Sequence, residues 1–389
     1  MRDVILNWQL GTNFGWGNLG LNVFAQWAND TEVRPVMGQP IELSQLVGVD
    51  PLRMSRIVAA TNASNEYLRT QASDPSRCLE SVCIDALGND FQPSSERRAG
   101  LMIGRAIFET SSLEFARERL ARYELLLTAS TWNAALIKDA TGRDAHIIHE
   151  GVDVSLFCPG PRSGWLDSDR FYVFSGGKVE FRKAQDLVLL AFKRFAARHA
   201  DAVLVTAWHS PWMDISRGFH GRLASSLSVG PDGMLDVTRW VAENGIDAGQ
   251  VIDLGQVPNV LMPGILREMH VGLQPSRAEA CTNLPVKEAM ACGLPVIAAR
   301  NTGMLDLLTD DNCIMLRHQT PVCTADHAGT DGWGESDPEE IDAALECAYQ
   351  DRAAAAATGS RARQWLFDHG RTWQQHAATL KEWVLSHPA

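Results

Sequence analysis

Two textures of apolar and polar positions alternate along this chain, and together they predict alternating strands and helices. Near the N-terminus, DVILNWQL (3–10) is a short apolar run of the kind that forms a buried strand. It is followed by the glycine-rich GTNFGWGNLG (11–20) and then by LNVFAQWAN (21–29), whose apolar residues fall at helical spacing. The alternation returns with RPVM (34–37) as a strand, LEFARERLARYE (113–124) as an amphipathic helix and ELLLTAS (124–130) as a buried strand. TWNAALIKDA (131–140) follows as a helix and AHIIHEGVD (145–153) as a strand running into a turn. This rhythm predicts an α/β fold in which helices cover a mostly parallel sheet.

From Ser155 the pattern breaks, because Pro, Gly and Ser interrupt every periodicity in SLFCPGPRSGWLDSDR (155–170), and a linker is expected there. A second series then begins: RFYVFSGG (170–177), DAVLVTAW (201–208), VIDLG (251–255), VGLQPS (271–276) and LPVIAA (294–299) as strands, with DLVLLAFKRFAARH (186–199), PGILREMH (263–270) and VKEAMACG (286–293) as helices. HAGTDGWGESDPEEID (327–342) reads as a surface loop, ending in an acid-capped helix from Asp337. The simplest organisation is two doubly wound domains, residues 1–160 and 161–365, with a helical tail, 366–389, that packs back on the first.

At 389 residues, 45% of them hydrophobic, the chain is long enough for two cores. No run approaches the roughly 18 apolar residues of a membrane helix, and MRDVILNWQL is too short and too polar for a signal peptide, so a soluble cytoplasmic protein is expected. The formal charge of −12 argues against nucleic acid as a partner, since phosphates are met chiefly by basic residues. Eight scattered cysteines suggest reduced thiols. Cys78 and Cys83 lack a second ligand pair, so no structural zinc is expected.

The first candidate for chemistry is Gly15-Trp16-Gly17-Asn18-Leu19-Gly20, a G-x-G-x-x-G that follows a strand and opens a helix, as in dinucleotide-binding folds. The acid that should follow the next strand and hold a ribose is missing, because RPVM leads into Gly38-Gln39-Pro40. Three readings stand: a loop whose backbone approaches a ligand, glycines that serve only a tight turn and close helix packing, and a nicotinamide site, which the missing acid disfavours. The second candidate is FSGGKVEFRKAQD (174–186). Two glycines turn the chain off a strand, and Lys178, Arg182 and Lys183 can then converge on one anion. A solvated charged loop is its alternative. The third is SRAEACTNLPVKEAMACGLPVIA (276–298), where Pro285 suits a first helical turn and Thr282 or Asn283 its N-cap. That helix start is an anion site, with Glu279 in the loop before it and Glu288 about a turn inside.

Four segments in this order, HEGVDVSLFCPG (149–160), FSGGKVEFRKAQD (174–186), LGQVPNVLMPGIL (254–266) and QPSRAEACTNLPVKEAMACGLPVIAARNTGMLDLL (274–308), resemble glycosyltransferase family 4. The resemblance implies a GT-B architecture of two Rossmann-like domains facing a central cleft. It also implies a retaining transfer of a hexose, glucose, from a UDP-sugar to a glycan or glycolipid acceptor in cell-envelope or polysaccharide synthesis. No metal or other cofactor is implied, and Asp167-Ser168-Asp169 lies in the expected linker as a solvated turn. By position, Lys178 and Lys183, with Gly177 and Arg182 beside them, would hold the donor diphosphate. Glu279 would contact the sugar hydroxyls, the amides of Thr282, Asn283 and Leu284 would cradle phosphate or sugar, and Glu288 would hold the ribose. Gly15, Trp16 and Gly17 would face donor phosphate or acceptor, and Trp8, Trp16 and Trp27 offer either sugar-stacking faces or buried packing.

Two features depart from the family pattern. Eight residues, not seven, separate Glu279 from Glu288, which lengthens the loop through Cys281 and Thr282. No histidine precedes His146 where the family often places one against the donor sugar. Glu109 occupies the comparable region, as a stand-in or as an N-capping or structural acid. A glycolipid acceptor would bring weak peripheral contact with a membrane, which no strongly basic amphipathic helix marks. The rival readings are a GT-B nucleotide-sugar epimerase and a non-catalytic sugar-nucleotide-binding protein.

Overall fold

The computed structural model describes residues 1–12, 14–73, 76–210, 222–231, 233–322 and 328–388. The chain divides into two compact units. One comprises Met1–Asp153, Pro258–Val260 and Gly370–Ala389, and the other Val154–Val257 and Leu261–His369.

The first unit contains strands β1 (Arg2–Asn7), β2 (Val33–Met37), β3 (Val82–Leu87), β4 (Leu101–Ala106), β5 (Leu125–Thr128) and β6 (His146–Ile147). They form one parallel sheet in the order β2-β1-β3-β4-β5-β6. Helices α1 (Gly15–Trp27), α2 (Pro51–Ser73), α3 (Ser76–Leu79), α4 (Ala116–Leu120) and α5 (Thr131–Thr141) connect them. β3 and β4 are buried at every position, as parallel strands covered on both faces must be.

Within the glycine-rich stretch, residues 15–20 are helix and not loop, because α1 already begins at Gly15. A Cβ added at Gly20 would lie 2.6 Å from Trp8 Nε1, and one at Gly17 would lie 2.8 Å from the Gly11 carbonyl oxygen. Both glycines therefore let α1 lie directly on the end of β1. Trp8 and Trp27 are buried, and their indole N–H groups donate to the carbonyls of Trp16 (2.9 Å) and Ala377 (3.0 Å). Gly20→Ala should lower stability, since overpacking costs about 1–3 kcal/mol against the ~1 kcal/mol helix preference of alanine. An unchanged urea midpoint would show that Trp8 yields freely.

The second unit contains β7 (Phe171–Lys178), β8 (Ala202–His209), β9 (Val251–Asp253), β10 (Val271–Gln274), β11 (Val296–Ala299) and β12 (Ile314–Leu316). They form a parallel sheet in the order β12-β11-β10-β7-β8-β9. Helices α6 (Gln185–Ala196), α7 (Val237–Glu243), α8 (Met262–Glu268), α9 (Leu284–Ala291), α10 (Pro338–Gln350) and α11 (Arg352–Asp368) complete the unit. Its core joins Phe192 and Phe195 of α6 to Phe171 and Val173 of β7, Leu204 of β8 and Leu345 of α10. The chain runs outward from β7 to β9 on one side and from β10 to β12 on the other. The gap between the carboxyl ends of β7 and β10 is thus the topological switch point, where open α/β sheets bind ligands.

One expectation is corrected in this unit. Of the stretch 327–342, whose first residue lies outside the described residues, 328–342 are not simply a surface loop, because β14 (Gly334–Ser336) pairs antiparallel with β13 (Gln319–Pro321), and Gly334 and Ser336 are buried. The tail consists of α11 and, past Gly370, α12 (Trp373–Leu385). α12 belongs to the first unit and lies against α1. There the guanidinium of Arg105, fully buried in β4, approaches His376 Nε2 at 3.2 Å, and His376 Nδ1 lies 2.7 Å from the His149 carbonyl. Nδ1–H therefore donates to that carbonyl and Nε2 accepts from Arg105.

Candidate active site

At the end of β7 the backbone needs its two glycines for different reasons. A Cβ at Gly176 would meet the Phe174 ring at 2.6 Å, and Gly177 has φ +125°, which side chains rarely allow. After Glu180, a 3₁₀ turn (Phe181–Lys183) and a left-handed Ala184 (φ 60°, ψ 37°) lead into α6. This turn brings Arg182 and Lys183 across to the end of β10, where both reach Glu279.

Glu279 is the centre of the cluster and is only 5% exposed. It accepts from Arg182 Nη1 at 2.7 Å, from Lys183 Nζ at 2.7 and 2.9 Å, and from Asn283 Nδ2 at 2.7 Å. Arg182 also donates to Glu180, and Lys178 Nζ lies 3.1 Å from the same carboxylate. Three cations thus face two carboxylates. Burial alone would raise Glu279, but the charges of Lys183 and Arg182 outweigh it and hold the carboxyl at about 2. Burial likewise opposes ionisation of Glu180, and Arg182 and Lys178 outweigh it and keep that carboxyl below its ordinary value. Lys183 is drawn down by burial, with Glu279 opposing.

The backbone of Glu279 is clamped as firmly as its side chain. Its N–H donates to Thr302 Oγ1 (2.8 Å), and its carbonyl accepts from Gly303 N–H (3.0 Å). Thr302 holds φ +41°, a strained value for a β-branched residue that costs about 1–3 kcal/mol and is typical of functional positions. A Cβ on Gly303 would stand 2.0 Å from the Cys281 carbonyl oxygen, so the lengthened loop packs directly on that glycine.

α9 starts as expected, with Asn283 at the N-cap position and Pro285 in the first turn. The Asn283 side chain makes no capping bond and turns to Glu279 instead. Its Oδ1 and the Thr282 hydroxyl are buried without a hydrogen-bond partner, which leaves unmet polar groups beside a helix start whose first N–H groups have no intrahelical acceptor. Leu284 opens the helix half-buried, and Glu288 is buried one turn further in.

A second ion network supports the turn. Arg277, fully buried, pairs with both oxygens of Asp186 at 2.9 and 2.6 Å, with Glu335 at 2.7 Å, and donates to the Phe181 carbonyl at 2.6 Å. Its guanidinium stacks on the Phe181 ring at 4.0 Å, and Arg222 closes the network onto Asp186 and Glu335. Arg277 N–H also donates to the Arg182 carbonyl at 2.7 Å. Sequence reasoning missed all four residues. Arg277 stands two positions before Glu279, but Glu335 lay in a segment taken for loop.

Lys178, Arg182, Lys183, Glu279, Thr282, Asn283, Leu284 and Glu288, with Gly177, all lie in the second unit. The other candidates lie in the first. Gly15, Trp16 and Gly17 form the first turn of α1, and Trp16 is half-buried. Glu109 sits in the connection between β4 and α4, at no helix start, and its N–H donates to Asn89 Oδ1 at 2.7 Å. Asp167 and Asp169 form an exposed turn in which Asp167 Oδ1 accepts the Asp169 N–H. Among the described residues, no group of three or more His, Cys, Asp or Glu side chains is placed to hold a metal ion, and no helix is long and apolar enough to cross a membrane.

The family model described as glycosyl transferases group 1 matches residues 170–329, the stretch that carries this cluster. Residues 170–329 are a group 1 glycosyltransferase domain. Among the relatives of this chain is D-inositol 3-phosphate glycosyltransferase 1 of Catenulispora acidiphila, 30% identical over 164 residues, which make up 41% of this chain and 36% of that one. Another is the GDP-mannose-dependent alpha-(1-6)-phosphatidylinositol monomannoside mannosyltransferase of Mycolicibacterium smegmatis, 25% identical over 292 residues, 70% of this chain and 66% of that one. The chain thus spans about a third and about two thirds of their lengths. Anabaena HepE, solved in complex with UDP-glucose, superposes with a TM-score of 0.65 at 15% identity over 100% of both chains. The fold of the chain is GT-B.

Proposed function

We propose that the chain transfers a hexose, glucose, from UDP-glucose to a hydroxyl of a glycan or glycolipid, with retention at the anomeric carbon. The observation that carries this reading is the cluster at the switch point of the second unit. Three cations, a clamped carboxylate and a helix start with unmet polar groups converge there, matching a diphosphate joined to a polyhydroxylated ring. In the transfer, the bond from C1 to the diphosphate oxygen breaks and the acceptor oxygen bonds to C1. The acceptor proton passes to the departing phosphate on the same face of the sugar. Lys178, Arg182 and Lys183 stabilise the charge that develops on the leaving group, the kind of fixed electrostatic contribution that is usually largest in catalysis. Glu279, held ionised, accepts from sugar hydroxyls, and Glu288 accepts from the ribose.

Glucose and uridine are chosen over mannose and guanosine because HepE was solved with UDP-glucose and aligns along its whole length. The mannosyltransferase relative makes GDP-mannose the competitor to test. Free UDP should appear from UDP-glucose faster with acceptor than without, with the product anomer retained by NMR and turnover surviving EDTA. An inverted linkage, or conversion of the donor without acceptor, overturns the reading.

Lys183→Ala should weaken UDP binding by about 1.5–3 kcal/mol, the value of a hydrogen bond to a charged group. Calorimetry reads this as a loss of roughly 10- to 150-fold. Unchanged affinity would remove Lys183 from the diphosphate site.

A further inference from the structure

At the amino edge of the second unit's sheet lies a cavity of about 310 Å³ whose charged lining residues are all basic. Arg162, Arg267 and Arg352 line it together with His270, and none of its lining residues is an aspartate or glutamate. In a chain with a formal charge of −12, a concave surface with this charge is conspicuous. Each group is presented with donors to spare. Arg267 is tied to the Cys158 carbonyl through Nε (2.8 Å) and to its sulfur through Nη2 (3.2 Å). Arg352 lies over the rings of Phe171 (5.1 Å) and Tyr349 (5.0 Å), and its nearest carboxylate, Asp201, is 3.8 Å away. Arg162 makes one long bond, 3.4 Å, to the Met269 carbonyl.

His270 fixes the character of the cavity. It stacks on Phe171 at 5.0 Å, and its Nδ1 accepts the Tyr172 N–H at 3.0 Å, so in the neutral ring Nε2 carries the proton. Burial, and then the charges of Arg162 and Arg352, push its pKa down to about 4, with Asp201 opposing. Phe171, Leu294 and Pro295 supply apolar wall beside the cations.

We propose that this cavity is a second ligand site that binds a small organic phosphate, its oxygens on the arginines and its organic part against the apolar wall. Guanidinium forks match phosphate oxygens in pairs, and a volume of this size suits a small ligand. Phe171 begins β7 and Lys178 ends it, so the site lies about 23 Å along the strand from the donor cluster. A ligand there does not compete with the nucleotide sugar.

Calorimetry on the full chain with inorganic phosphate and with glucose 6-phosphate tests this. Both should bind wild type and Lys183→Ala alike, with glucose 6-phosphate the tighter. The double variant Arg162→Gln/Arg352→Gln, altered at exposed positions, should lose at least tenfold in affinity for both while keeping its UDP affinity. Absence of saturable binding to wild type overturns the site, as does binding lost in Lys183→Ala and kept in the double variant. Equal affinity for the two probes overturns the organic part. UDP binding is scored separately, so failure here leaves the donor site standing.

Discussion

Glu279→Ala is expected to abolish turnover and to cost the fold about 3–5 kcal/mol, the penalty for leaving buried charge unpaired. Arg182 and Lys183 both close on this one carboxylate, and its removal takes Lys183's ion-pair partner and leaves Arg182 with Glu180, in a site that is almost closed to water. Glu279→Gln, which keeps the shape and the hydrogen-bond acceptor but not the charge, separates the two effects: it should recover part of the stability and little of the turnover. The pH dependence follows from the same pairing. The carboxyl is held at about 2, below the ordinary glutamate value of 4.5, so its contribution is complete above about 4.5 and is lost as pH falls toward 2. Urea unfolding across that window should show wild type losing its advantage over Glu279→Gln. A constant difference would mean the carboxylate is not held by its cations.

Arg277→Leu is expected to cost about 3–5 kcal/mol as well, because Asp186 is fully buried and loses its two-pronged partner. It should also weaken UDP binding about tenfold, although Arg277 is assigned no contact with the donor. The reason is mechanical: the Arg277 guanidinium holds the Phe181 carbonyl and the Asp186 carboxylate at either end of the turn that presents Arg182 and Lys183, whereas the bond from its backbone N–H to the Arg182 carbonyl survives the substitution. Lost stability with unchanged UDP affinity in the folded variant would limit Arg277 to a structural part.

Much of this was legible from sequence because strand and helix periods were strong where the donor cluster sits. FSGGK and VKEAMACG each show a strand end or a helix start with its glycine or proline in place. The first unit was read less completely. β3 and β4 went unnoticed because VCIDAL and LMIGRA carry Asp85 and Arg105, charges that a pattern reading takes as surface. Both are fully buried, Asp85 with Asn7 (2.6 Å) and the Tyr123 hydroxyl (2.8 Å), Arg105 beside His376. The long helix α2 was missed because its apolar residues do not share a face: Leu52 and Val58 point to solvent while Ile57 is buried. Within the site, sequence showed which residues carry charge but not their pairing. That Arg182 and Lys183 both close on Glu279 depends on Ala184 adopting a left-handed turn, which no alanine announces.

The most direct test is a crystal structure of the chain soaked with UDP. The account predicts the diphosphate within hydrogen-bonding distance of Lys183 and of the N–H groups that open α9, with the ribose hydroxyls on Glu288. A diphosphate bound instead at the Gly15–Gly20 turn of the first unit, with the Glu279 cluster unchanged, would contradict it.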